Sequence, residues 1–295
     1  MVNDMDKEYI LPNKELLNKS NELFKSDSRY FALSKMILKK DLNNKLTIPL
    51  GIDEKRDKYY MNLESIPALL ISGETGSGKS VFLDSAIVTL LLKNNPSELK
   101  FLFFDPKLVE LGEYDGIPHV IVDGHNNTDG YKIDYALLML EERKKVLKEA
   151  KCNSINEYNK LYSNSKLAQI IIIADESVDM MEDDSILDLI KTIMSKGVDY
   201  GFHLILATNS YLKNHFNRSL LNSFPYIITF DLASEEQAKY LRIQGADLLK
   251  AGGEVLIKCR NNDILKMQTP YISDEEIKKV VDFIKMQSWV VYYAL

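Results

Sequence analysis

The chain has 295 residues, 45% hydrophobic and 27% charged, with a formal net charge of -6. The length suits one large α/β domain with additions, or two small ones, and the composition is that of a globular protein with a sizeable core. The negative balance excludes nucleic-acid binding by global charge, so a DNA contact would have to be a local basic patch or a ring formed on assembly.

Residues 1–45 are polar and Lys/Asn-rich and read as an N-terminal arm or linker, with a helix expected over residues 14–24 that puts Leu16, Leu17 and Leu23 on one side. Cys152 and Cys259 lie far apart without metal-ligand spacing, the acidic start lacks a signal-peptide pattern, and no apolar run is long enough to span a membrane. These features predict a cytoplasmic protein with reduced thiols. Two short strands, residues 46–53 and 59–62, flank the charged turn 54–57 and open a main domain expected over 46–286. An apolar tail, 287–295, follows it.

From Ala68 onward strands and helices alternate, which predicts an α/β fold with a mostly parallel central sheet covered by helices on both faces. Strands are expected at 68–72, 99–105, 169–174, 203–208 and 226–230, and helices at 81–92, 131–151, 155–161, 185–195 and 235–242. Residues 253–258 and 264–269 read as a hairpin around Asn261-Asn262-Asp263. Ser273 and Glu276 form a capping box that starts a last helix.

The first strand runs into Gly73-Glu74-Thr75-Gly76-Ser77-Gly78-Lys79-Ser80, the pattern G-x-x-x-x-G-K-S, and Val81 opens an apolar helix. Strand, glycine-rich loop and helix are the context a P-loop needs. Its glycines let successive N–H groups converge on phosphate oxygens, and the helix adds its positive dipole end. Lys79 is expected on the β- and γ-phosphates of ATP and Ser80 on Mg2+. A bare Asp-Glu pair is a weak signal, but Asp175-Glu176 closes a strand of four consecutive isoleucines downstream of a P-loop. Asp175 is then expected to hold Mg2+ through water, and Glu176 to act as general base on the attacking water. Asn209, at the end of the 203–208 strand, is a candidate γ-phosphate sensor or water-holding group, because such strand ends face the ligand crevice. His119 reads as a packed loop histidine, and Lys107 by itself as a solvated turn residue.

Several of these segments together resemble the FtsK/SpoIIIE family of DNA-translocating ATPases. The P-loop is similar to the family's T-G-S-G-K-S version. Asp105-Pro106-Lys107-Leu108-Val109-Glu110-Leu111, Tyr114 and Ile117-Pro118-His119 resemble its D-P-K-x-x-E-L…Y…I-P-H segment. Asp175-Glu176-Ser177-Val178-Asp179-Met180-Met181 resembles its D-E-F-A-D-L-M, and Gly201 to Thr208 its G-I-H-L-I-L-A-T. Further likeness lies at Glu142-Arg143, Asn156 to Asn159, Gly245 to Leu249 and Ile272 to Glu276, so it covers roughly residues 45–285. The resemblance implies a RecA-like motor core, ATP and Mg2+, a hexameric homo-oligomer, and double-stranded DNA as partner. Related branches drive protein secretion, which implies a possible membrane-bound or secretion partner instead.

The chain departs from the family pattern in its arginines. Asn209-Ser210-Tyr211 stands for Gln-Arg-Pro, Gly197-Val198-Asp199 for Ala-Arg-Ala, Ile227 for the strand arginine, and Ala238-Lys239 for Ser-Arg. An arginine finger is worth several orders of magnitude in rate. A slowly hydrolysing nucleotide-binding assembly module is therefore the alternative reading, with Arg218 and Arg242 as candidate substitutes.

Overall fold

The structure is a computed structural model that describes residues 9–17, 31–37, 44–105, 111–121, 129–175, 184–209 and 218–288. Its strands are β1 Thr47–Ile52, β2 Lys58–Asn62, β3 Ala68–Ser72, β4 Leu99–Phe104, β5 Gln169–Ala174, β6 Phe202–Thr208, β7 Tyr226–Thr229, β8 Glu254–Lys258 and β9 Ile264–Gln268. Its helices are α1 Lys79–Leu91, α2 Asp129–Glu149, α3 Ile155–Leu161, α4 Asp184–Thr192, α5 Arg218–Ser223, α6 Glu235–Leu241 and α7 Asp274–Ser288. Helix α4 runs on through a π turn, Ile193–Gly197, into a helical turn, Val198–Tyr200.

Among the described residues the strands form one sheet in the order β2-β1-β9-β8-β7-β3-β6-β5-β4. Strands β7, β3, β6, β5 and β4 are parallel neighbours. The remaining four join in antiparallel fashion, starting from β8 against β7. The parallel part carries the P-loop. The antiparallel part curls back toward α1, where Lys93 Nζ donates to Thr47 O at 3.1 Å and Asn94 Nδ2 to Lys45 O at 2.9 Å.

The alternation of side chains along a strand explains the unbroken apolar runs. In β5, Ile171 and Ile173 join the core cluster under α1 and α7, while Ile170, Ile172 and Ala174 join the cluster under α2 and α4. In β3, Leu69 and Ile71 face the first cluster, and Ala68 and Leu70 the second. A strand covered on both faces has no solvent side on which to place a polar residue. Helix α1 is buried around most of its circumference, and its Ser85 and Thr89 hydroxyls donate to Phe82 O and Ser85 O.

The helix expected over 14–24 is not formed in its first half. Asn13 caps a single 3-10 turn, Lys14–Leu16, and Leu17 is extended, at φ -84° and ψ 145°. Leu17 is buried with Leu33 and Met36 in the cluster beneath α7, so tertiary burial overrides a weak local propensity. Residues 18–24 lie outside the described residues. The ends of the described chain meet: Ile10 N donates to Gln287 Oε1 at 2.8 Å, and Gln287 Nε2 returns a bond to Ile10 O at 2.9 Å. The capping box forms as expected, with Ser273 N and Oγ both donating to Glu276 Oε2, at 3.0 and 2.8 Å.

Candidate active site

The parallel strands end along one edge, where Ser72 of β3 sits between Thr208 of β6 and Thr229 of β7. The P-loop leaves β3 at this edge. Strand β6 separates β3 from β5, so a group following β6 lies between the P-loop and the carboxylate that follows β5. That group is Asn209. Thr75, Gly76, Gly78, Lys79, Ser80 and Val81 line one cleft of about 170 Å3 together with Asp175 and Asn209. Residues far apart in sequence thus line one cleft, though Gly73, Glu74 and Ser77 do not, and Glu176, next to Asp175, lies outside the described residues.

The loop fits an anionic group. The N–H groups of Thr75, Gly76, Gly78, Ser80 and Val81 have no acceptor among the described residues. Three of them, with Lys79, open the loop-to-helix junction, where N–H groups lack partners within the helix and the dipole is positive. Gly78 caps α1 at φ 115° and ψ 8°, a left-handed conformation that favours glycine. Lys79 is buried, and its Nζ donates to Gly73 O at 2.7 Å and Glu74 O at 2.9 Å, which curls the ammonium back over the loop. Asp175 is buried at 5% exposure, and its N–H is tied to Phe104 O at 3.0 Å. The buried Asp175 carboxylate and the half-buried Ser80 hydroxyl, both lining the cleft, are oxygen donors of the kind Mg2+ prefers.

The loop is held by residues that sequence reasoning missed. Glu74 N donates to Asp231 O at 2.8 Å, and Gly253 N to Ser77 O at 3.3 Å. A Cβ on Gly253 would meet Thr269 Oγ1 at 2.6 Å and Gln268 Nε2 at 2.8 Å, at φ 96°. The β8 entry therefore needs glycine to pass beneath the P-loop. Phe230 packs edge-on to Phe82 of α1 with ring centroids 6.1 Å apart. Burial, then the charges of Glu74 and Asp247, raise the Asp231 carboxyl above its usual range. The adjacency of β7 to β3 was the signal, and it is readable only once strand order is known.

The sequence profile of the FtsK/SpoIIIE family matches residues 35–240. The chain belongs to the FtsK/SpoIIIE family. With its P-loop assembled as above, it is a P-loop ATPase of that family. It is 31% identical over 274 residues to a DNA translocase FtsK of Clostridium acetobutylicum, covering 88% of this chain and 36% of that protein. It is 33% identical over 258 residues to a DNA translocase FtsK of Helicobacter pylori, covering 84% of this chain and 30% of that one. The chain thus spans about a third of the length of these relatives. Among solved structures, it resembles the cytoplasmic domain of the type VII secretion ATPase EccC of Thermomonospora curvata, with TM-score 0.72 and 21% identity over 87% of this chain and 33% of that one. It also resembles the pCW3 conjugation coupling protein TcpA with ATPγS, with TM-score 0.71 and 22% identity over 86% of this chain and 74% of that one. These two likenesses establish the fold.

The family segments now have physical roles. Asp105, at the end of β4, accepts from Leu111 N at 3.0 Å. Buried Tyr114 donates to Asp84 of α1 at 2.8 Å; burial, then the Asp84 charge, holds its phenol well above the usual range. His119 Nε2 lies 3.0 Å from Asn94 O just past α1. Tyr114 and His119 therefore hold the P-loop helix at Asp84 within it and at Asn94 just past its end, and residues 106–110, Lys107 among them, lie outside the described residues. Arg143 stacks on Phe202 and donates to Tyr200 O and Gly201 O, and His203 Nδ1 lies 2.9 Å from Ile66 O. These groups tie the opposite sheet edge together. Ile227, where the family carries arginine, is 3% exposed in the apolar cluster under α6. Arg218 stacks over Tyr240 at 5.4 Å, and neither it nor Arg242 lines the P-loop cleft.

Proposed function

We propose that residues 46–286 are the ATP-hydrolysing motor unit of an FtsK/SpoIIIE-type translocase that acts on double-stranded DNA as a hexameric ring. The observation that carries this reading is the single cleft formed by the P-loop, Asp175 and Asn209. The DNA assignment draws support from relatives at 31–33% identity whose names give DNA as what they move. The secretion ATPases are similar at about 21% identity, which bears on fold alone.

ATP with Mg2+, when bound, supplies the phosphoanhydride whose hydrolysis powers movement. The loop N–H groups receive the phosphate charge without reorganising, which is the electrostatic part of the catalysis. Lys79 would turn from the carbonyls of Gly73 and Glu74 to the β- and γ-phosphate oxygens. Ser80 and Asp175 would hold the metal, Asp175 by way of water. Glu176 would serve as general base on the attacking water, and Asn209 would orient that water or sense the γ-phosphate. Slow hydrolysis in an assembly module is the second reading. It is favoured by Ile227, buried where the family has arginine.

Lys79→Ala and Asp175→Asn test the cleft directly. Each is expected to cut steady-state ATP turnover by roughly two orders of magnitude or more, while the thermal midpoint without nucleotide stays near that of the parent protein. Glu176→Gln is expected to retain bound ATP without turning it over. Unchanged turnover in these variants would overturn the assignments.

A further inference from the structure

Strand β6 outruns one of its neighbours where it reaches the cleft. Its last rung with β5 pairs Ala174 with Leu206, whereas its pairing with β3 continues to Ser72 opposite Thr208. Asn209 stands one residue past that rung and lines the cleft with Lys79, Ser80 and Asp175. The side chains of β6 alternate between the two faces. Leu204 and Leu206 join the cluster under α2 and α4, and Ile205 and Ala207 the cluster under α1. Thr208 continues the first series, on the face away from the P-loop helix, and is not among the residues that line the cleft. It is fully buried, and its Oγ1 donates to Asn209 O at 2.9 Å.

That bond constrains the backbone at Asn209. The chain up to the Asn209 Cα is anchored in the ladder with β3, and the carbonyl that the Thr208 hydroxyl holds lies just beyond that Cα. Peptide units are planar, so only two soft dihedrals separate the planes on either side of a Cα. Holding both planes sets those dihedrals, and with them the direction of the Cα–Cβ bond. Threonine suits the task, because a β-branched side chain is stiff at χ1 and a hydroxyl buried this deeply is costly to leave unbonded. We propose that Thr208 is a positioning residue for ATP hydrolysis, whose hydroxyl aims the Asn209 side chain into the cleft without itself touching the nucleotide. This role rests on the one proposed for Asn209 above. Aim matters there, since a misplacement of about 1 Å near a reacting centre can cost about a hundredfold in rate.

The test is steady-state ATP turnover with Mg2+ by the full chain and its variants. Thr208→Val keeps the shape of the side chain and removes the hydroxyl. It is expected to lower kcat about ten- to a hundredfold while the KM for ATP stays near that of the parent. Thr208→Ala also lacks the hydroxyl and should behave alike, whereas Thr208→Ser should recover most of the lost kcat. Asn209→Ala is expected to lower kcat at least as far as Thr208→Val does. Adding Thr208→Val to Asn209→Ala should cause no further loss, because a hydroxyl that acts only through Asn209 then has nothing left to aim. A purely structural Thr208 would lower kcat by the same factor in both backgrounds. That result, parental turnover in Thr208→Val beside an impaired Asn209→Ala, or failure of both hydroxyl-free variants to fold, overturns the positioning role and leaves the Asn209 reading standing. Parental kcat in Asn209→Ala overturns both, as does a parent protein that turns over no ATP.

Discussion

Two buried histidines tie the stability of the protein to pH. Burial, with a smaller contribution from the Lys100 charge and against the pull of the Asn94 carbonyl, lowers His119 to about 4. Burial, then the nearby Arg143 charge, against the Ile66 carbonyl, lowers His203 to about 4. Both pKa values lie below the unfolded value near 6.5. The unfolded chain therefore binds more protons between pH 6.5 and 4, and stability rises with pH across that window. The contribution is complete above about pH 6.5 and is lost as pH falls toward 4. It is on the order of 3 kcal/mol per histidine. Urea unfolding of the parent protein at pH 7, 5.5 and 4.5 should show this fall. His119→Gln and His203→Gln, though less stable at pH 7, should each show a shallower one. A parent protein equally stable at all three values would contradict the buried, neutral state of these rings.

At the level of elements, the P-loop depends on a neighbour. Gly253 lies beneath Ser77 and Gly78, with its N–H on Ser77 O and its backbone 3.1 Å from where a Cβ on Gly78 would stand. Gly253→Ala puts a methyl group into Thr269 and Gln268 at a left-handed φ, which should cost about 1–3 kcal/mol. Because the displaced turn supports the loop, ATP affinity should fall with stability. A variant destabilised but binding ATP with unchanged affinity would show that the turn does not position the loop. This dependence was not legible in the sequence, where Gly253 reads as the start of a hairpin. The P-loop, the isoleucine strand ending in Asp175 and the closing hairpin were legible, because each is local: a loop pattern, an apolar run, a turn between two alternating strands. Strand order was not, and with it went Asp231, Phe230 and the contacts of Tyr114 with Asp84 and of His119 with Asn94, each 20 or more positions away. The first half of the helix expected over 14–24 is missing for the same reason, since Leu17 is drawn into a core that the local sequence does not reveal.

On the scale of the whole molecule, the sheet divides the work. Its parallel strands gather the candidate nucleotide groups along one edge, while the opposite edge holds Arg143, His203 and Lys258. Helix α1 joins the two, with the P-loop at its start and Asn94, bonded to His119 and to Lys45 just before β1, past its end. A DNA motor couples ATP turnover in this cleft to duplex DNA. Steady-state ATP hydrolysis by the full chain, with and without long double-stranded DNA and with Glu176→Gln as control, decides whether it does. Strong stimulation by DNA, absent in the variant, is expected. Hydrolysis by the parent protein that is slow and indifferent to DNA would contradict it, and would point to a nucleotide-gated assembly role or a protein substrate.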